Sequence, residues 1–220
     1  VGERALLCGH NLLDHDLPVL RERHPELAGL QGAAVLDSLV LSPLAFPKKP
    51  YHALVKDREL VSEVNRPLSD CEASAQVLAD VLAVFRDAVR TDPTPLRFIL
   101  GCLRAGDLAE AGRRGLDRLM AWLGIAPMDC GAEETFDALR GFVGERACPN
   151  HLAQLWAEAG KSAPLASAFA YLLAWLPVAG SDSIVPPWVT RRFGRVSEAS
   201  HRLRRASCGE RACPYCSRVH

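Results

Sequence analysis

Apolar residues recur along this chain in two rhythms, and the rhythm changes near residue 70. Ahead of that point a compact run at 5–8 (Ala-Leu-Leu-Cys) suits a strand, and 34–41 forms a second apolar run. Between them, residues 17–23 read as a short helix. Three prolines within 42–50 make that stretch irregular. Beyond residue 70 the spacing turns helical. Ala73, Val77, Val81, Val84 and Ala88 share one face of a helix predicted over 71–89, with Asp70 as its candidate cap and Asp92-Pro93 as its end. Further helices are predicted over 96–103, 108–123, 133–143, 152–159 and 165–176. The last carries Phe169, Tyr171, Leu172, Leu173 and Trp175 and is apolar nearly all round, as a buried core helix is. Residues 181–187 read as a turn or linker, and 188–205 as an Arg-rich amphipathic stretch. These textures divide the chain into 1–90, 91–185 and 186–220. The fold class expected is α/β to mainly α, with a small sheet near the N-terminal end.

Composition narrows this picture. The 220 residues are 49% hydrophobic and 24% charged, which excludes intrinsic disorder. No apolar run reaches about eighteen residues, so no membrane span is expected. The net charge is zero, but the zero is a sum of unlike parts. Segment 1–90 holds 10 Lys/Arg against 13 Asp/Glu, 91–185 holds 8 against 11, and 186–220 holds 8 against 2. The local balances are −3, −3 and +6. Arginines outnumber lysines 22 to 4, as a GC-rich genome or selection for phosphate contacts would produce. No signal peptide is recognised at Val1–Leu7, and the chain reads as an internal piece of a longer polypeptide.

Eight cysteines are present. Cys8, Cys71, Cys102, Cys130 and Cys148 stand singly and read mostly as buried thiols of a reduced, cytoplasmic protein. Cys208, Cys213, Cys216 and His220 instead spell C-x4-C-x2-C-x3-H. A Cys-x-x-Cys turn brings two thiolates to one tetrahedral ion, and a further Cys and His complete a structural zinc site. A redox Cys-x-x-Cys is a second reading, and a fortuitous cluster, or a site completed by residues after His220, a third. The flanking Arg202, Arg204, Arg205, Arg211 and Arg218 suit either a phosphate-binding surface or a solvated helix face.

The most specific text is Gly9-His10-Asn11-Leu12-Leu13-Asp14-His15-Asp16, followed by the apolar Leu17-Pro18-Val19-Leu20. It resembles the second motif of the DEDD 3′–5′ exonucleases, with His15 where Phe is usual and Asp16 on the catalytic aspartate. Tyr51-His52-Ala53-Leu54-Val55-Lys56 resembles the segment before the third motif, and Asn65-Arg66-Pro67-Leu68-Ser69-Asp70-Cys71-Glu72-Ala73 resembles the third motif itself. The resemblance covers about 90 residues. It implies a partial RNase H-like domain over 1–90, in which Asp16 and Asp70 bind Mg or Mn for phosphodiester hydrolysis. It further implies that His10, Asn11 and Asn65 touch the DNA substrate, a single strand or 3′ end. Two departures accompany it. The first motif, Asp-x-Glu, would lie upstream of Val1, and the general-base His or Tyr of the third motif is replaced by Asn65 or Arg66. On this resemblance the stretch by itself is inactive.

The order of parts (nuclease-like start, helical spacer, Pro186-Pro187-Trp188-Val189, Cys-rich knuckle) resembles the N-terminal region of bacterial RecQ-type DNA helicases that carry an exonuclease domain. That resemblance implies an ATP-dependent motor after His220. No Gly-x-x-x-x-Gly-Lys-Ser/Thr loop lies within these residues. A different class of reading is a non-catalytic nucleic-acid or protein binding module with a structural zinc site. Asp14 or Asp16 would then merely cap the helix at 17, and Asp70 the helix at 71.

Overall fold

The two apolar runs near the start pair as a parallel sheet, with β1 (Leu6–Gly9) beside β2 (Ala34–Asp37), Leu6 opposite Ala34 and Gly9 opposite Asp37. In this computed structural model, residues 6–54, 67–126, 128, 133–178 and 185–220 are described. Parallel strands require a crossover. Here it holds a wide helical turn at Leu12–Asp16 and then α1 (Leu17–Arg23). Every residue of β2 is buried, as befits a parallel strand covered on both faces. β1 alternates and leaves Leu6 and Cys8 exposed. These two strands form the whole sheet among the described residues.

Helices make up the rest. The run expected at 34–41 divides after Asp37, where α2 (Ser38–Ala45) begins. The cause is local, because the Asp37 carboxylate accepts the Leu39 N–H at 2.9 Å and caps the new helix. α3 spans Pro67–Thr91 and so starts before the predicted residue 71. Proline is well tolerated in a first helical turn, and Asp70 consequently lies inside that turn and is not its cap. α4 (Thr94–Ala105), α5 (Glu110–Leu123), α6 (Glu133–Val143), α7 (Pro149–Ala159) and α8 (Ala163–Trp175) follow. α9 (Pro187–Arg192), α10 (Arg195–Arg204) and α11 (Cys216–Val219) complete the chain. Among the described residues no helix is long and apolar enough to cross a membrane.

α8 is the axis of the core. It is buried from Leu165 through Trp175 and packs against α2, α4, α7 and α10. Trp156 of α7 meets Phe169 with ring centroids 6.0 Å apart, and Phe193, beyond α9, meets Tyr171 at 5.3 Å. The Tyr171 hydroxyl donates to the Val40 carbonyl at 3.0 Å, which ties the middle of α8 to α2. α5 lies directly on β2, and Gly115 makes that approach possible. A Cβ at this position would sit 1.9 Å from the Val35 carbonyl oxygen. One apolar cluster takes side chains from residue 13 to residue 203, drawing on all three textural segments of the sequence.

Candidate functional site

Four cysteines converge where α7 begins and the chain ends. Cys148, at the N-terminus of α7, joins Cys208, Cys213 and Cys216, and all four sulfurs lie within 4.8 Å of one another. Cys148 Sγ is 3.8 Å from Cys213 Sγ, and Cys216 Sγ is 3.6 Å from Cys208 Sγ. A tetrahedral ion with bonds of about 2.3 Å to sulfur needs sulfur–sulfur edges of roughly 3.8 Å. The group can therefore hold one metal ion. A multi-iron cluster, with iron and sulfide between its cysteines, would hold the sulfurs farther apart.

The fourth position thus falls to Cys148 and not to His220, which is exposed on the last turn. The Cys-x-x-Cys turn was legible. Its fourth partner was not, because Cys148 and Cys213 are 65 positions apart and only the packing of α10 against α7 and α8 brings them together. The Cys148 N–H bonds the Leu203 carbonyl at 2.9 Å, which fixes this junction. The four environments differ. Burial pushes the Cys148 thiol up to about 12. The Asn150 side-chain amide, 3.3 Å from Cys208 Sγ, together with the Glu210 backbone N–H, draws Cys208 down to about 6. Cys208 is accordingly the readiest thiolate of the group.

The second feature is a cleft of about 920 Å³ between β1, α3 and α9. Its walls include His10, Asn11 and Asp16 from the first crossover, Tyr51 and His52 from the chain after α2, Asp70 from α3, and Trp188 and Arg191 from α9. A buried carboxylate organises the near wall. Asp37, 3% exposed, accepts the N–H groups of Asn11 at 2.8 Å and Leu13 at 2.9 Å as well as that of Leu39. Asn11 adopts the left-handed conformation at φ 60°, which is tolerated by Asn better than by most residues. His10 Nδ1 is 3.0 Å from Ser38 Oγ, and His52 Nδ1 is 2.8 Å from Ser42 Oγ. Burial holds the Asp37 carboxyl above the usual carboxylate range, opposed in part by its three N–H donors.

Asp16 occupies the position before α1, yet it makes no capping hydrogen bond there. Asp14 pairs with Arg192 instead. Capping therefore explains neither Asp14 nor Asp16, nor Asp70 one turn into α3. Asp16 and Asp70 are both exposed and face the same cleft with His10 and Asn11. Asn65 and Cys130 lie outside the described residues. Cys102 is buried as expected, but Cys8 and Cys71 are exposed cysteines lining the cleft, because β1 shows one face to it and α3 the turn that bears Asp70. Asp37, central to this wall, carried no sequence signal beyond following an apolar run.

Four of the eight arginines in the basic C-terminal segment close on carboxylates. Arg202 grips Glu158 through two bonds at 2.8 and 2.9 Å, Arg218 pairs with Glu145 at 2.5 Å, Arg195 with Glu198 at 3.1 Å, and Arg192 with Asp14. Its positive excess docks it on the acidic body. No protein-family model, curated protein or solved structure matches this chain.

Proposed function

We propose that this chain is the metal-dependent 3′–5′ exonuclease-like region of a DNA-processing protein, of the kind that precedes the motor in RecQ-type helicases. The observation that carries the reading is the common cleft of Asp16, Asp70, His10 and Asn11, residues singled out by two separated motifs. Asp16 and Asp70 hold Mg²⁺ or Mn²⁺, with oxygen donors of the kind these hard cations take. When bound, the ion polarises a phosphodiester oxygen and lowers the pKa of a coordinated water. The protein's own contribution is positional. Asp37 clamps the backbone N–H groups of Asn11 and Leu13, which pins the turn that leads to Asp16. Ser38 holds the His10 ring against that wall.

The cysteine centre holds zinc in a structural role. All four ligands come from the protein, so no position is left for a substrate or water. Its effect is to join the start of α7 to the last thirteen residues of the chain, beyond the end of α10.

Mn²⁺ titration by electron paramagnetic resonance tests the cleft. Wild type takes up Mn²⁺, and Asp16→Asn and Asp70→Asn each weaken that uptake at least ten-fold. Uptake unchanged in both variants would sink the proposal.

A further inference from the structure

One arginine that the docking of the C-terminal segment leaves unpaired stands in the cleft. Arg192, Arg195, Arg202 and Arg218 all close on carboxylates. Arg191, their neighbour on α9, is exposed and makes no ion pair or hydrogen bond with any described residue. Of the described residues that line the cleft, it is the one Lys or Arg. The helix that carries it is firmly seated. Trp188 packs edge-on against Tyr171 at 5.9 Å, Val189 is buried, and Phe193 stacks on Tyr171 just beyond the helix end. α9 therefore holds Arg191 on the wall without using its charge.

A guanidinium that shares a cleft with two carboxylates and bonds to neither is unsuited to a site for cations alone. It lowers the affinity for any ion that Asp16 and Asp70 would hold, unless an anion enters with that ion. The missing partner is negative. A guanidinium is suited to the phosphate of a nucleic-acid strand. The volume of about 920 Å³ falls at the upper end of the roughly 300–1,000 Å³ usual for small-ligand sites, which suits a strand terminus better than a duplex.

We infer that Arg191 is the phosphate-contacting residue of this cleft, and that the phosphate it takes belongs to the terminal nucleotides of a single strand. The inference rests on the nuclease-like reading above, and deepens it by adding a binding residue that neither motif contains.

The test is fluorescence anisotropy of a 5′-fluorescein-labelled single-stranded oligonucleotide in Ca²⁺, at salt concentrations from 50 to 200 mM. Arg191→Ala weakens binding about ten-fold and lowers the slope of log affinity against log salt by about 0.7, the share of one single-strand phosphate. Arg191→Lys restores the slope, because the charge returns. Arg211→Ala, on the exposed loop between Cys208 and Cys213, changes neither quantity. An Arg191→Ala slope and affinity equal to wild type would overturn the inference, as would a wild-type chain that binds no oligonucleotide. Mn²⁺ uptake uses no oligonucleotide, so the Asp16/Asp70 reading stands or falls separately.

Discussion

Asp37 accepts three backbone N–H groups from two separate segments, and its truncation leaves all three donors without their acceptor at once. Asp37→Ala is expected to lower stability by about 3 kcal/mol, since each buried donor left unmade costs roughly 1–3 kcal/mol and some will find water. Urea denaturation measures this. The pH dependence has a defined sign. The native carboxyl sits above its ordinary value, so the folded state holds that proton more tightly than the unfolded chain. This contribution is fully present below about pH 3.9 and is lost as pH rises through the native value. The stability difference between wild type and Asp37→Asn therefore shrinks as pH rises from 4 to 7. A difference that grows instead would contradict the assignment. Asp37 was silent in the sequence because one aspartate after an apolar run has no periodicity. Asp16 and Asp70 stand out in the sequence because motif residues surround them, and both line the cleft.

Elements whose limits depend on local signals were read closely. α1 and α6 coincide with the predicted 17–23 and 133–143, where apolar spacing and flanking breaks agree. Elements whose limits depend on one side chain or one close approach were not. The run 34–41 is strand for four residues and helix for the rest, and the switch depends on the Asp37 side chain, which no hydrophobic pattern encodes. The close passage of α5 over β2 was equally hidden, since a lone glycine in a helix most often signals weakness. Gly115→Ala drives a methyl group into the Val35 carbonyl. The backbone must separate, and overpacking of this kind costs about 1–3 kcal/mol or more. The urea midpoint falls accordingly, although alanine is the better helix former by about 1 kcal/mol. A gain in stability would mean that α5 does not rest on β2 as described.

At the scale of the molecule, the neutral total acquires a mechanism. The −3, −3 and +6 balances are halves of one internal attachment, with Glu158, Glu145 and Asp14 receiving the arginines of the last segment. Most of these pairs are partly exposed and individually weak, so the metal centre is the stronger fastening. Cys148→Ser is expected to abolish stoichiometric zinc and lower the melting temperature, as is chelation of wild type. Loss of zinc from His220→Ala with retention in Cys148→Ser would reverse the ligand assignment. Calorimetry in buffers of different ionisation enthalpy adds a second check. Zinc uptake at pH 7 releases fewer than four protons, because Cys208, drawn down to about 6, is already largely thiolate. Release of four would contradict that environment. The claim on which the functional account turns concerns the other site. Crystals grown with Mn²⁺ give an anomalous difference map that answers it directly. The expected peak lies within roughly 2.0–2.6 Å of carboxylate oxygens from both Asp16 and Asp70, and a map with no peak between those two residues would contradict a shared metal site.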